Sequence, residues 1–146
     1  MTRKIGILLA ILIAGVSFLC MVQAQTGEKK WKKTITLPKG DVVLDIKGEW
    51  NVALTHLRPG GYAPESGKTK ITQTGNTFVG IAMTAFSAFR KGKEQIKGEL
   101  DKSGFKQVQI ISGVAGNSDA KGQISEDGNQ IIIDDGERFR LILTRK

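Results

Sequence analysis

From Val42 to His56 the chain alternates without a break. Even positions carry Val42, Leu44, Ile46, Gly48, Trp50, Val52, Leu54 and His56, and odd positions include Asp45, Lys47, Glu49, Asn51 and Thr55. A period of two describes a strand with one buried and one wet face. Fifteen residues exceed the ordinary strand length, which predicts a bend at Gly48, where no side chain resists curling of the sheet. Beyond His56 the same theme returns in short alternating runs separated by Gly, Asn or Asp, and no segment sustains a helical period. The fold class is therefore all-β.

Strands are expected near 49–56, 69–74, 77–84, 93–100, 105–112, 120–125, 129–134 and 138–145. Gly75-Asn76, Lys102-Ser103-Gly104, Asp127-Gly128-Asn129 and Asp135-Gly136 lie between them, all chemistry for tight antiparallel hairpins. A meander of eight strands leaves exposed edges unless it closes, so the expected architecture is an eight-stranded antiparallel up-and-down barrel in one domain, with a two-sheet sandwich as the alternative. Lys47-Gly48-Glu49-Trp50, Lys97-Gly98-Glu99-Leu100 and Lys121-Gly122-Gln123-Ile124 resemble one another, but at unequal spacing. Glycine at curved strand positions accounts for them without a repeat.

Gly48-Glu49-Trp50 at the opening of the first barrel strand, together with Arg145 at the end of the last, resembles the signature of the lipocalin and calycin barrels. Arg145 shares parity with Phe139, Leu141 and Leu143 and so lies on the inward face. The resemblance covers about residues 42–146 and implies that Arg145 covers Trp50 and closes one end of the barrel, a structural rather than catalytic pair. The chain departs from that family in having no evident helix after the barrel and a single cysteine, Cys20. Avidin is similar in plan but lines its ligand with several tryptophans, and here only Trp50 falls within the barrel region.

At the N-terminus Arg3 and Lys4 precede an apolar run from Ile5 to Val22 without an acidic residue. Such a hydrophobic helix reads as an export signal, and Val22-Gln23-Ala24 fits cleavage after Ala24. An uncleaved anchor is the rival, and a lipoprotein at Cys20 is disfavoured by Leu19 before it. The organisation is then 1–24 signal, 25–33 basic linker and 34–146 barrel. Loss of the first 24 residues removes two basic and no acidic side chains, so a net charge of +8 becomes +6. That excess favours anionic partners. Export argues against nucleic acid and leaves an anionic membrane surface, reached through Lys29, Lys30, Trp31, Lys32 and Lys33, or a protein partner.

Chemistry-bearing residues are sparse. One His and one Cys exclude most metal cages, so no metal or cofactor is expected, nor an enzyme. Two longer connections are where a barrel places specificity. In Leu57–Gly67, Arg58 and Tyr62 suit a carboxylate or a ring. In Ala85–Gly92, Phe86 and Phe89 suit a membrane-touching tip, a ligand portal or simple burial in the core. His56 and Leu54 end the inward face of the first strand. The expected function is an exported, monomeric carrier of a small hydrophobic or amphipathic ligand. The competing expectation is a barrel filled by its own side chains that binds a protein or the cell envelope through loops and the basic segment. If the signal is cut as read, the intact mass of the exported chain begins at Gln25; a mass retaining residues 1–24 would establish the anchor instead.

Overall fold

The computed structural model describes residues 31–146, so the expected signal and residues 25–30 of the basic linker lie outside the described residues. Ten strands follow in order: β1 Thr34–Thr36, β2 Val42–Leu44, β3 Gly48–His56, β4 Glu65–Thr74, β5 Thr77–Ala82, β6 Glu94–Asp101, β7 Gly104–Ile110, β8 Ser118–Ile124, β9 Gln130–Asp134 and β10 Phe139–Arg145. No helix occurs among the described residues. Strands β3 to β10 form a closed antiparallel barrel in which each strand pairs with its neighbour in sequence, and β10 returns to β3 with Trp50 opposite Arg145 and His56 opposite Phe139. The alternation predicted this closed meander, and the sandwich is excluded. Short turns enforce it: Thr74 faces Thr77 across Gly75-Asn76, with φ of +59° at Gly75, a value glycine adopts without strain.

Two boundaries differ most from expectation. Val42–His56 is not one bent strand: residues 45–47 interrupt it, and β2 pairs with β1 in a separate ribbon. Gly48, at φ +119°, is where the chain leaves that ribbon for the barrel. Strand β4 begins at Glu65, four residues earlier than predicted, so Ser66 and Gly67 are strand rather than loop. Their loop-like composition misled the reading, because Gly67 is small for a packing reason: a Cβ there would stand 2.5 Å from the Phe86 ring.

The β1–β2 ribbon closes one end, burying Val43, Leu44 and Ile46. The Arg145 guanidinium lies 4.4 Å above the Trp50 ring and donates to the carbonyls of Asp45 (2.9 Å) and Gly128 (3.3 Å). Trp50 Nε1 donates to the Ile46 carbonyl (2.9 Å), and the Gln73 carboxamide bridges the Ile46 N–H and the Leu44 carbonyl. Trp31 packs against this end beside Gly128, and the Lys33 carbonyl accepts from Asp45. The last residues of the expected linker are thus part of the barrel's base.

Inside, Trp50, Leu54, Ile71, Ile96, Leu100, Ile110, Ile131, Ile133 and Leu141 are all at most 2% exposed. Eight strands enclose an interior about wide enough for side chains to fill, and here the inward glycines make the fit. Gly80 takes Ile96 and Gly122 takes Phe105, each so close that a Cβ would collide. At the other end Phe86 and Phe89 fold inward and stack edge to face at 6.2 Å, with Phe89 5.4 Å from Phe139. Side chains therefore occupy the barrel from end to end. Arg145→Ala removes the cation-π contact and both carbonyl bonds, and should lower unfolding free energy by about 2–4 kcal/mol in urea titrations. Arg145→Lys should recover only part of this, since an ammonium cannot stack flat and bond two carbonyls together.

Candidate functional site

The open end is built from four connections. Residues 57–64 join β3 to β4, residues 83–93 join β5 to β6, residues 111–117 join β7 to β8, and residues 135–138 join β9 to β10. A cleft of about 230 Å³ opens between them, lined among others by His56, Arg58, Tyr62, Ser87, Val114 and Phe139. His56, Arg58 and Tyr62, singled out in the sequence, thus come together. Leu54, Phe86 and Phe89 do not join them: Leu54 is fully buried in the interior, and the two phenylalanines plug the barrel beneath the cleft. Core packing, not a portal, is the role the structure gives the phenylalanines.

His56 anchors the cleft floor, with a side chain only 8% exposed. Its ring lies 5.6 Å from Phe139, edge to face, and 5.1 Å from Tyr62. Nε2 stands 2.8 Å from Glu65 Oε2, and because an ionised carboxylate only accepts, the ring hydrogen is assigned to Nε2. Ser87 completes the cluster: its N–H donates to Glu65 Oε1 (2.8 Å) and its hydroxyl to Glu65 Oε2 (2.6 Å). Burial raises the Glu65 carboxyl, but the hydrogen bonds from His56 and Ser87 outweigh it and hold the group below the usual glutamate value.

Serine, histidine and carboxylate within bonding distance invite comparison with a hydrolytic triad. A relay places the carboxylate on one ring nitrogen and the hydroxyl on the other. Here the Ser87 oxygen lies 3.2 Å from the same Nε2 that faces Glu65, and its hydrogen points to the carboxylate. The cluster as assembled ties the 83–93 loop to β3 and β4 and does not activate Ser87.

The opposite wall rests on Asp135. Its Oδ1 accepts from the backbone N–H groups of Glu137 (3.0 Å), Arg138 (2.7 Å) and Phe139 (3.0 Å), and its Oδ2 accepts from Ser118 (2.9 Å). Burial raises this carboxyl as well, and the three N–H groups more than reverse the effect. Arg138 is held by the Asp135 carboxylate and the carbonyls of Ala115 and Gly116, 5.2 Å from the Phe139 ring. Arg58, by contrast, is exposed and makes no ion pair among the described residues. Tyr62 is 71% exposed. Sequence reasoning missed Glu65, Ser87, Asp135 and Arg138; Asp135-Gly136 was legible as a turn, but nothing local reveals that Glu65 meets a serine 22 residues away.

A wider groove of about 780 Å³ runs over the outer face of β8, β9 and β10, past Lys121, Gln123, Ile132 and Ile142. Its arginine, Arg140, is already paired with Asp134 at 2.7 Å. Among the described residues no group of three or more His, Cys, Asp or Glu side chains is placed to hold a metal ion. Comparison with protein-family models, curated proteins and solved structures returns no match. The closed barrel is compatible with a lipocalin-like fold, and the geometry alone carries the reading of function.

The depressed Glu65 value sets a pH window. A carboxylate with a folded pKa below its unfolded one stabilises above the unfolded value, near 4.3, and loses that contribution as pH falls through the folded value. Hydrogen exchange at Ser87 and its neighbours should therefore stay protected from pH 7 to about 5, after correction for intrinsic rates, and lose protection below about pH 4. Glu65→Gln should bring the loss to neutral pH.

Proposed function

We propose that this protein is an exported, non-catalytic binding barrel of the lipocalin-like kind that takes a small amphipathic molecule with a carboxylate head at its open end. The observation that carries the reading is the contrast between an interior filled by its own side chains and a cleft at the mouth in which an arginine without an ion pair among the described residues, a fixed histidine and an exposed tyrosine converge. Arg58 supplies a planar cation suited to a carboxylate, with bidentate bonds worth about 1.5–3 kcal/mol. Tyr62 and Val114, both exposed, supply apolar surface for the body of the molecule. With its hydrogen on Nε2 and given to Glu65, His56 packs as a neutral ring and is an acceptor at Nδ1, so the carboxylate is left to Arg58. At about 230 Å³ the cleft is smaller than the roughly 300–1,000 Å³ of sites for drug-sized molecules, so it fits a small ligand or the head of a longer one.

The absence of a relay through His56 supports the non-catalytic part of the reading. The filled interior moves the site from the barrel lumen, where a carrier would hold its ligand, to the rim. It also favours a second reading, in which the same rim residues receive an acidic side chain or C-terminus of a protein partner.

Titration with 1-naphthoate, followed by backbone amide NMR, tests the proposal. Saturable shifts are expected at residues 56–62, 87–88, 114–115 and 138–139, with about tenfold weaker binding in Arg58→Ala. Shifts elsewhere, or affinity unchanged in Arg58→Ala, would sink it.

A further inference from the structure

The positive charge of the barrel is gathered on one side. Residues 31–146 carry 18 basic and 13 acidic side chains. Six of the basic ones, Lys68, Lys70, Arg90, Lys91, Lys93 and Lys97, lie exposed on β4, β6 and the loop between β5 and β6, and Glu94 is the one exposed acid on these segments. Glu99, further along β6, is taken up by Asn76 and Lys106. None of the six cations makes an ion pair among the described residues.

The same side shows apolar side chains on a wall that faces water. Val79 and Ile81 point outward from β5, half-buried, and Met83, just past its end, is 40% exposed. Register sets lysines beside them. Ile81 faces Lys70, the Met83 N–H donates to the Lys68 carbonyl (2.8 Å), and Val79 faces Lys97 on the other flank. The β5–β6 register skips at Gly80/Ile81, which turns Gln95 inward beside Ile96, both 1% exposed, and leaves Glu94 and Lys97 outside. The turn at residues 90–93 closes against Ala82, whose N–H donates to the Lys93 carbonyl (3.0 Å) and whose carbonyl accepts from Gly92 (2.8 Å), so Arg90, Lys91 and Lys93 stand at the Met83 end. At the rise of a strand, Val79, Ile81 and Met83 make a stripe about 13 Å long.

Ile132 and Ile142 pair in a similar way on the outer face of β9 and β10, but there Lys121 and Arg140 are offset by Asp119 and Asp134. The β4–β6 side instead joins apolar surface to uncompensated positive charge. The outer wall of a closed barrel is convex, so it meets a flat surface along the line of a strand. We infer that the β4–β5–β6 wall is a docking surface for an anionic lipid membrane. The stripe of Val79, Ile81 and Met83 enters the interface, and Lys68, Lys70 and Lys97 reach acidic headgroups on either side of it. Docking needs no opening of the barrel and does not use Arg58, so it is independent of the rim reading.

Cosedimentation of the exported chain with vesicles of equal parts phosphatidylglycerol and phosphatidylcholine tests this, with pure phosphatidylcholine for comparison. Binding is expected to the first and not to the second, and should weaken as salt is added. A lysine near such a surface is worth about fivefold in affinity, so Lys68→Gln, Lys70→Gln and Lys97→Gln together should weaken binding by at least about tenfold. Lys39→Gln, Lys102→Gln and Lys121→Gln remove the same charge from exposed positions elsewhere and should cost less than about threefold. Ile81→Thr with Met83→Gln should weaken binding by at least about threefold. These substitutions lie on the surface and leave the core intact. Absence of binding to the anionic vesicles, equal losses from the two lysine triples, or binding unchanged by the stripe variant, which would mark a site for soluble polyanions, would each overturn the inference. Arg58→Ala should bind vesicles as the wild type does, which keeps failure of the rim reading separate from failure of this one.

Discussion

Closure of the barrel depends on one stacked cation. Arg145, at the end of the last strand, lies flat on Trp50, near the start of the first barrel strand, and its guanidinium ties down carbonyls from two further segments, at Asp45 and Gly128. Burial lowers the Arg145 pKa and the nearby Asp45 charge raises it, the first effect being the larger. The aromatic face and two carbonyl acceptors compensate for water lost around the guanidinium. Three stretches of chain, around residues 45–50, 128 and 145, thereby meet at one side chain, and the β1–β2 ribbon packs over them.

From that end the consequences run up the barrel. With β10 held to β3, no barrel strand presents an unpaired flank as an edge strand would. The circumference is then set by eight strands, and the interior has to be matched to it by residue size. Glycines at 67, 80 and 122 admit Phe86, Ile96 and Phe105 respectively. A barrel filled in this way holds its loops on a rigid rim, which is why His56, Glu65 and Phe139 meet with defined geometry although they belong to three strands.

The alternation of Val42–His56 and the Gly, Asn and Asp turns made the closed meander legible, since a period of two and short hairpins leave little topological freedom. Parity likewise placed Arg145 on the inward face, and the resemblance to the lipocalin barrels implied its cover of Trp50. The break at 45–47 was hidden because the apolar alternation continues through it: Ile46 is buried, but in the base rather than the wall. Part of the rim was legible too, as Arg58 and Tyr62 are polar or aromatic residues in a Pro/Gly-rich loop. Glu65, Ser87 and Gln95 were not, because their meaning comes from a 22-residue contact and a register skip, and neither leaves a local pattern.

The pairing of Trp50 with Arg145 joins positions near opposite ends of the described chain. Synthesis proceeds from the N-terminus, so β3 emerges long before the strand that completes it. Until the final seven-residue strand is available, β3 and β9 remain open flanks and Trp50 lacks its cover. Loop-closure entropy makes this long-range pairing a slow step. The barrel is thus most vulnerable to self-association before β10 is in place, and loss of that strand would turn a sealed cylinder into an open, adhesive sheet.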